Sequence, residues 1–146
     1  MKYFKPSEFP ESLSLADPVL LEKFVSLREF LNKPIYPSPA PGALARTDDG
    51  ASESEHYAVG RLSEAIDFFC DMDPFEAYIK ILQSGLFPRM GVYFDTWFKH
   101  QKHVMFHVDL KPKPLLWFRD KGKYSYSTEP LFFKTIFKNF FLGMEK

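Results

Sequence analysis

One cysteine, Cys70, stands in 146 residues, so the chain can form no internal disulfide and no multi-cysteine metal site. It lies in the apolar run Phe68-Phe69-Cys70, where a thiol behaves as a small buried hydrophobe rather than as a nucleophile. No stretch approaches the roughly 20 consecutive apolar residues of a membrane span. The opening MKYFKPSEFPESLSL is broken by two prolines and two glutamates before any long apolar run, so no secretory signal is expected. The product is expected to be cytoplasmic as synthesised and to meet a cell wall only after release or as part of a virion. Charge of one sign is not in excess either: Lys plus Arg and Asp plus Glu each total 19. Without a positive field, nucleic acid is a poor partner.

Apolar and aromatic residues are plentiful: 45% hydrophobic, 18% aromatic and 17 Phe, enough for one packed domain over residues 1–146. Asp17-Pro18, followed by Leu20, Phe24, Leu27 and Leu31, predicts a helix with an aspartate cap that stops before Pro34. From Pro34 to Ser54, four prolines and two glycines predict a long irregular surface connection. Glu64–Phe69 reads as a strand with Ala65, Asp67 and Phe69 on one face, which puts Asp67 where a hydrophobic residue belongs. Asp73-Pro74-Phe75-Glu76 reads as a capping box, with Phe75, Ile79 and Leu82 as the apolar stripe of a helix ending at Gly85. Two β-prone runs, Gly91–Phe94 and Val104–Leu110, predict antiparallel strands joined by a loop of about nine residues. Leu131–Leu142 predicts a terminal helix packed on the domain.

On the strand Val104–Leu110, period-two geometry sends Phe106, Val108 and Leu110 to one face and Met105, His107 and Asp109 to the other. A histidine and a carboxylate on a core-like strand need partners, either a metal ion or a satisfied hydrogen-bonded pair. His56 at the end of the connection and Asp67 on the next strand would complete two nitrogen donors and one carboxylate, a catalytic zinc set that leaves a fourth position for water. His100, His103 and His107 would align only on a helix, and the run VMFHV favours a strand.

The segments S-E-H-Y-A-V-G-R-L-S-E-A-I-D-F-F and M-F-H-V-D-L resemble, in order, the S-x-H-x-x-G-x-A-x-D and H-x-D motifs of the D-alanyl-D-alanine carboxypeptidase/Hedgehog-fold metallopeptidases. K-Y-F-K-P-S-E-F is similar to the opening of phage-type members, L-R-E-F-L-N-K-P-I to their leading helix, and G-V-Y-F-D-T to their G-V-Y-P-D segment. Trp117 stands where a tryptophan often follows. The likeness runs through residues 1–119.

The resemblance implies an α+β domain with a small antiparallel sheet of about four to six strands and helices packed on one side. It further implies Zn2+ held by His56, Asp67 and His107, and Arg46 on a substrate carboxylate. The implied activity is zinc-dependent hydrolysis of a peptidoglycan stem-peptide or cross-link bond by a phage- or prophage-encoded enzyme. The chain departs from the pattern in two places. Ten residues separate His56 from Asp67, so an insertion is expected to loop out around Arg61–Glu64, with Glu64 a rival to Asp67 as ligand. The positions where relatives place a general base are Val104 and Met105, which leaves Asp109 as the nearest carboxylate for proton transfer or for orienting a ligand. A non-catalytic phage structural or binding protein that keeps the fold, with or without the metal, is the alternative.

Overall fold

The computed structural model describes residues 1–144. Helix α1, Pro18–Leu31, begins where Asp17 accepts a hydrogen bond from the Val19 N–H and buries Leu20, Phe24, Leu27 and Leu31. It ends at Asn32, in the left-handed conformation that lets a helix C-terminus turn away. Six strands follow: β1 Ile35–Pro37, β2 Ala65–Cys70, β3 Arg89–Phe98, β4 Gln101–Asp109, β5 Leu115–Asp120 and β6 Lys123–Tyr126. They form one sheet in the order β1-β2-β4-β3-β5-β6. The architecture is α+β, as expected, but the sheet is mixed rather than antiparallel, because β3 and β5 run parallel. β2 already occupies the outer edge of β4. The short connection after β4 therefore carries the chain past the start of β3 to its other edge.

Helix α2, Pro74–Ser84, starts at Asp73, whose carboxylate accepts from the Glu76 N–H, and ends at Gly85 with φ 65°. Its inward face is Ala77, Tyr78 and Ile81 rather than the expected Phe75, Ile79 and Leu82; Leu82 is exposed. Helix α3, Phe132–Met144, accounts for the rotation, since Phe75 turns sideways to meet Phe137 and Phe140 of that helix.

One face of the sheet is apolar and carries the core. Phe24 of α1 packs on Phe68, while Phe140 and Phe132 of α3 pack on Phe94 and Phe118. The other face carries Asp67, His107, Tyr93 and Arg119. The chain between β1 and β2 covers its Asp67 and His107 part through His56.

That cover is only in part the surface loop anticipated for Pro34–Ser54: residues 39–41, 47–50 and 52–53 are exposed, but Ser38, Ala43, Leu44 and Ala45 are buried. A buried loop must satisfy its backbone donors, and here Glu11 does so. Its carboxylate accepts from the N–H groups of Gly42, Leu44 and Ala45 at 2.9, 3.0 and 2.8 Å. The looped-out insertion lies two residues earlier than the expected Arg61–Glu64. Residues 59–62 are mostly exposed, but Ser63 is fully buried and bonded to the Leu44 carbonyl, and the Glu64 N–H bonds to Glu55 O. Finally, β3 and β4 meet not through a nine-residue loop but through Lys99 and His100 alone, both at positive φ. Two such residues make the tight turn that suits strand twist.

Candidate metal centre

Strand pairing builds most of the site. Asp67 on β2 lies opposite His107 on β4, His107 lies opposite Gly91 on β3, and Gly91 lies opposite Trp117 on β5. His56 comes down onto this row from the covering loop. The Arg46 N–H bonds to its carbonyl, its own N–H bonds to Ser54 Oγ, and its Nδ1 faces the Leu44 carbonyl at 3.4 Å.

The three expected ligands converge. Oδ1 of Asp67 lies 3.2 Å from Nε2 of His56 and 2.9 Å from Nδ1 of His107. All three side chains are buried. Glu64 is not in the cluster. The outer nitrogens decide what the inner ones can do. A carbonyl only accepts, so Nδ1 of His56 donates to Leu44. Nε2 of His107 lies 2.9 Å from Oδ2 of Asp109, so that nitrogen donates as well. Each neutral imidazole therefore turns a lone pair toward the same carboxylate oxygen. Three acceptors facing one another are stable only when protons or a cation stand between them. The cluster can hold a metal ion.

The charges carry the same tension. Burial would push the carboxyl pKa of Asp67 up, but His56 and His107 outweigh it and hold it well below the usual carboxylate range. For His107, burial favours the neutral ring, yet the hydrogen bonds that the Asp109 and Asp67 carboxylates accept from it prevail and raise its pKa to about 9. Protons take the place of a cation when none is bound.

Asp109 has no exposed surface, and both of its oxygens are engaged. Oδ2 meets His107 and accepts from Nε of Arg89 at 3.2 Å, while Oδ1 accepts from the Lys111 N–H at 3.0 Å and lies 3.1 Å from the same Nε. Burial raises its pKa, but the His107 and Arg89 partners outweigh that and lower it. Arg89 also reaches Glu55 at 3.6 Å, and its guanidinium lies over the Trp117 ring. Glu55, His107 and Asp109 form a second group close enough to share an ion. Arg89 already supplies positive charge there.

Arg46 borders an open cleft of about 340 Å³ together with Asp67, Asp95 and Arg119. Its Nε donates to the Gly42 carbonyl. His103 lies outside the site. It pairs with Thr96 beyond an irregularity in β3 and packs on Phe98 and Phe69. Four strand residues, about 13 Å, separate it from His107.

Sequence reasoning missed Arg89, Glu55 and the packing role of Trp117, whose indole lies over Gly91 with its centroid 5.1 Å from that of His107. The glycine was the available signal, because a glycine inside a strand marks the close approach of another group.

Comparison of the chain with models of known protein families, with curated proteins and with solved structures gives no match in any of the three.

Proposed function

We propose that this chain is a zinc-dependent peptidase with a Hedgehog/DD-peptidase-like fold, acting on stem-peptide or cross-link bonds of peptidoglycan and encoded by a phage or prophage. The observation that carries the reading is the convergence of two imidazole lone pairs and a carboxylate on one buried point. Two nitrogens and one oxygen suit zinc and leave a coordination position for water or substrate. The ordered motifs around His56, Asp67 and His107 add the substrate class by resemblance.

When bound, zinc supplies Lewis acidity and an activated water. The chain's residues do the rest. His56 through Nε2, His107 through Nδ1 and Asp67 through Oδ1 would hold the ion. Asp109 fixes the tautomer of His107, and Arg89 holds Asp109 in turn. With both oxygens engaged, Asp109 is assigned to orientation rather than proton transfer. Arg46 faces the cleft beside Asp67, where its guanidinium would meet a substrate carboxylate.

A second reading, a binding protein that keeps the metal without turnover, draws on the same engagement of Asp109, which removes the carboxylate nearest in sequence to His107 from proton transfer. No helix among the described residues is long and apolar enough to cross a membrane.

Metal analysis of protein purified without chelator should find about one zinc per chain, and zinc content near zero after reconstitution would sink both metal readings. Cross-linked peptidoglycan should release peptides with the wild type and not with His107→Ala. Equal inactivity of the two would favour the binding protein.

A further inference from the structure

Helix α3 needs only part of its surface to hold it to the domain. Phe132, Ile136 and Phe140 are buried; Phe132 meets Phe118 of the sheet, and Phe140 meets Phe94 of the sheet and Tyr78 of α2. The remaining surface is also apolar. Phe133, Phe141 and Leu142, with Leu131 just before the helix, are each between 46% and 69% exposed. Phe133 packs on Phe137, and Phe137 and Phe141 both touch Phe75, so the rings form a continuous stripe. Scattered exposed apolar residues are ordinary, whereas a run of them along one element marks a contact surface.

The charge on that surface has one sign. At about 100° per residue, Phe141, Lys134, Lys138 and Leu142 fall within an arc of about 100° on the side of the helix away from Phe132, Ile136 and Phe140. Both lysines are exposed, and they are the only charged residues of Phe132–Met144. The acidic groups close by in chain or packing are engaged elsewhere. Glu129 accepts from the Tyr126 N–H, and Glu76, next to Phe75, pairs with Lys80 at 3.1 Å.

A second copy of the helix docked two-fold would set lysine against lysine with no carboxylate between them. An anionic lipid surface accepts both halves of the pattern: the lysine stems run along the rings toward the headgroups, while Phe and Leu enter the acyl boundary. We propose that α3 docks the domain on a bilayer surface rich in anionic phospholipid, with the helix lying in the plane of the interface. The inference does not rest on the metal reading. Because α3 packs on the apolar face of the sheet and His107 and Asp67 stand on the other, a docked chain turns that cluster away from the lipid.

The test sediments the full chain with extruded vesicles of phosphatidylcholine alone or mixed with phosphatidylglycerol. Binding should require the anionic lipid and weaken with salt. Lys134→Gln and Lys138→Gln should each lower the affinity about fivefold. Lys99→Gln, at the β3–β4 turn over Tyr36 and Phe98, should leave it unchanged. Phe133→Ser combined with Phe141→Ser should abolish sedimentation. If circular dichroism shows that this pair of changes melts the fold, the lysine variants still decide. Wild type that stays in solution with anionic vesicles overturns the proposal, as does equal affinity for the two vesicle types or full affinity in the double lysine variant. A dimer that forms without vesicles and disappears in Phe133→Ser/Phe141→Ser also overturns it, by assigning the face to a second copy of this chain.

Discussion

Nε of Arg89 lies 3.1 Å from Oδ1 of Asp109, a carboxylate with no exposed surface, and so the charge behind His107 is balanced by a residue from the neighbouring strand. Removing one partner of a buried pair strands the other's charge, at about 3–5 kcal/mol. Arg89→Met is therefore expected to lower the melting temperature by roughly 10 °C. It should also weaken zinc binding about 10- to 100-fold, since Asp109 then holds His107 less well. Arg89→Lys keeps the charge and should recover part of both. Thermal melts and competition with a chromogenic chelator measure the two effects.

The Trp117 indole and a side chain at position 91 cannot coexist, because Cε2 and Nε1 of the ring already lie 2.4 Å from the would-be Cβ. Gly91→Ala must displace the ring that packs on His107. A destabilisation of about 1–3 kcal/mol follows. Intrinsic tryptophan fluorescence should shift to the red as the buried indole of Trp117 moves toward water. An unshifted spectrum with unchanged stability would refute the packing role.

Zinc should stabilise the native chain by about 2.7 kcal/mol when present at a hundred times its Kd, which is a rise of several degrees in melting temperature. Asp67→Asn keeps the shape and removes the charge. Its melting temperature should not respond to zinc. A response equal to the wild type's would place the ion elsewhere.

Chelator-treated protein should show a specific pH profile. The folded pKa of His107, about 9, lies above its ordinary 6.5. Its contribution to stability is therefore complete below about pH 6.5 and is lost as pH rises through 9. Asp67, depressed below its ordinary 3.8, contributes above that value and loses its contribution on further acidification. The melting temperature should fall by several degrees between about pH 6 and pH 9.5. His107→Gln should flatten that alkaline fall. Added zinc should remove it, because the metal takes the deprotonated ring.

The candidate cluster was legible because each of its strand residues broke a pattern: Asp67 stood in an apolar run, and His107 shared a face with Asp109 on an otherwise greasy strand. The helix caps at Asp17 and Asp73 were legible for the same local reason. What lay beyond reading depended on distant partners. Glu11 makes a buried loop of residues that look like surface, and nothing near Pro34–Ser54 announces it. The parallel pairing of β3 with β5 follows from which sheet edge was free, not from either strand's residues. Lys99 and His100 hold positive φ without the glycine or asparagine that usually signals such a turn. Arg89 became visible only when the register set it opposite Asp109.

Two of the three candidate ligands ride on paired strands, while the third hangs from a loop whose backbone is fastened by Glu11. Ion capture should accordingly proceed in two stages, with Asp67 and His107 as a fixed seat and His56 as a latch. The lifetime of a bound ion would then depend on a carboxylate near the N-terminus that never touches it. Glu11→Gln should speed zinc release to a chelator far more than it slows uptake, and stopped-flow exchange rates would expose an equal change in both as the end of the latch idea.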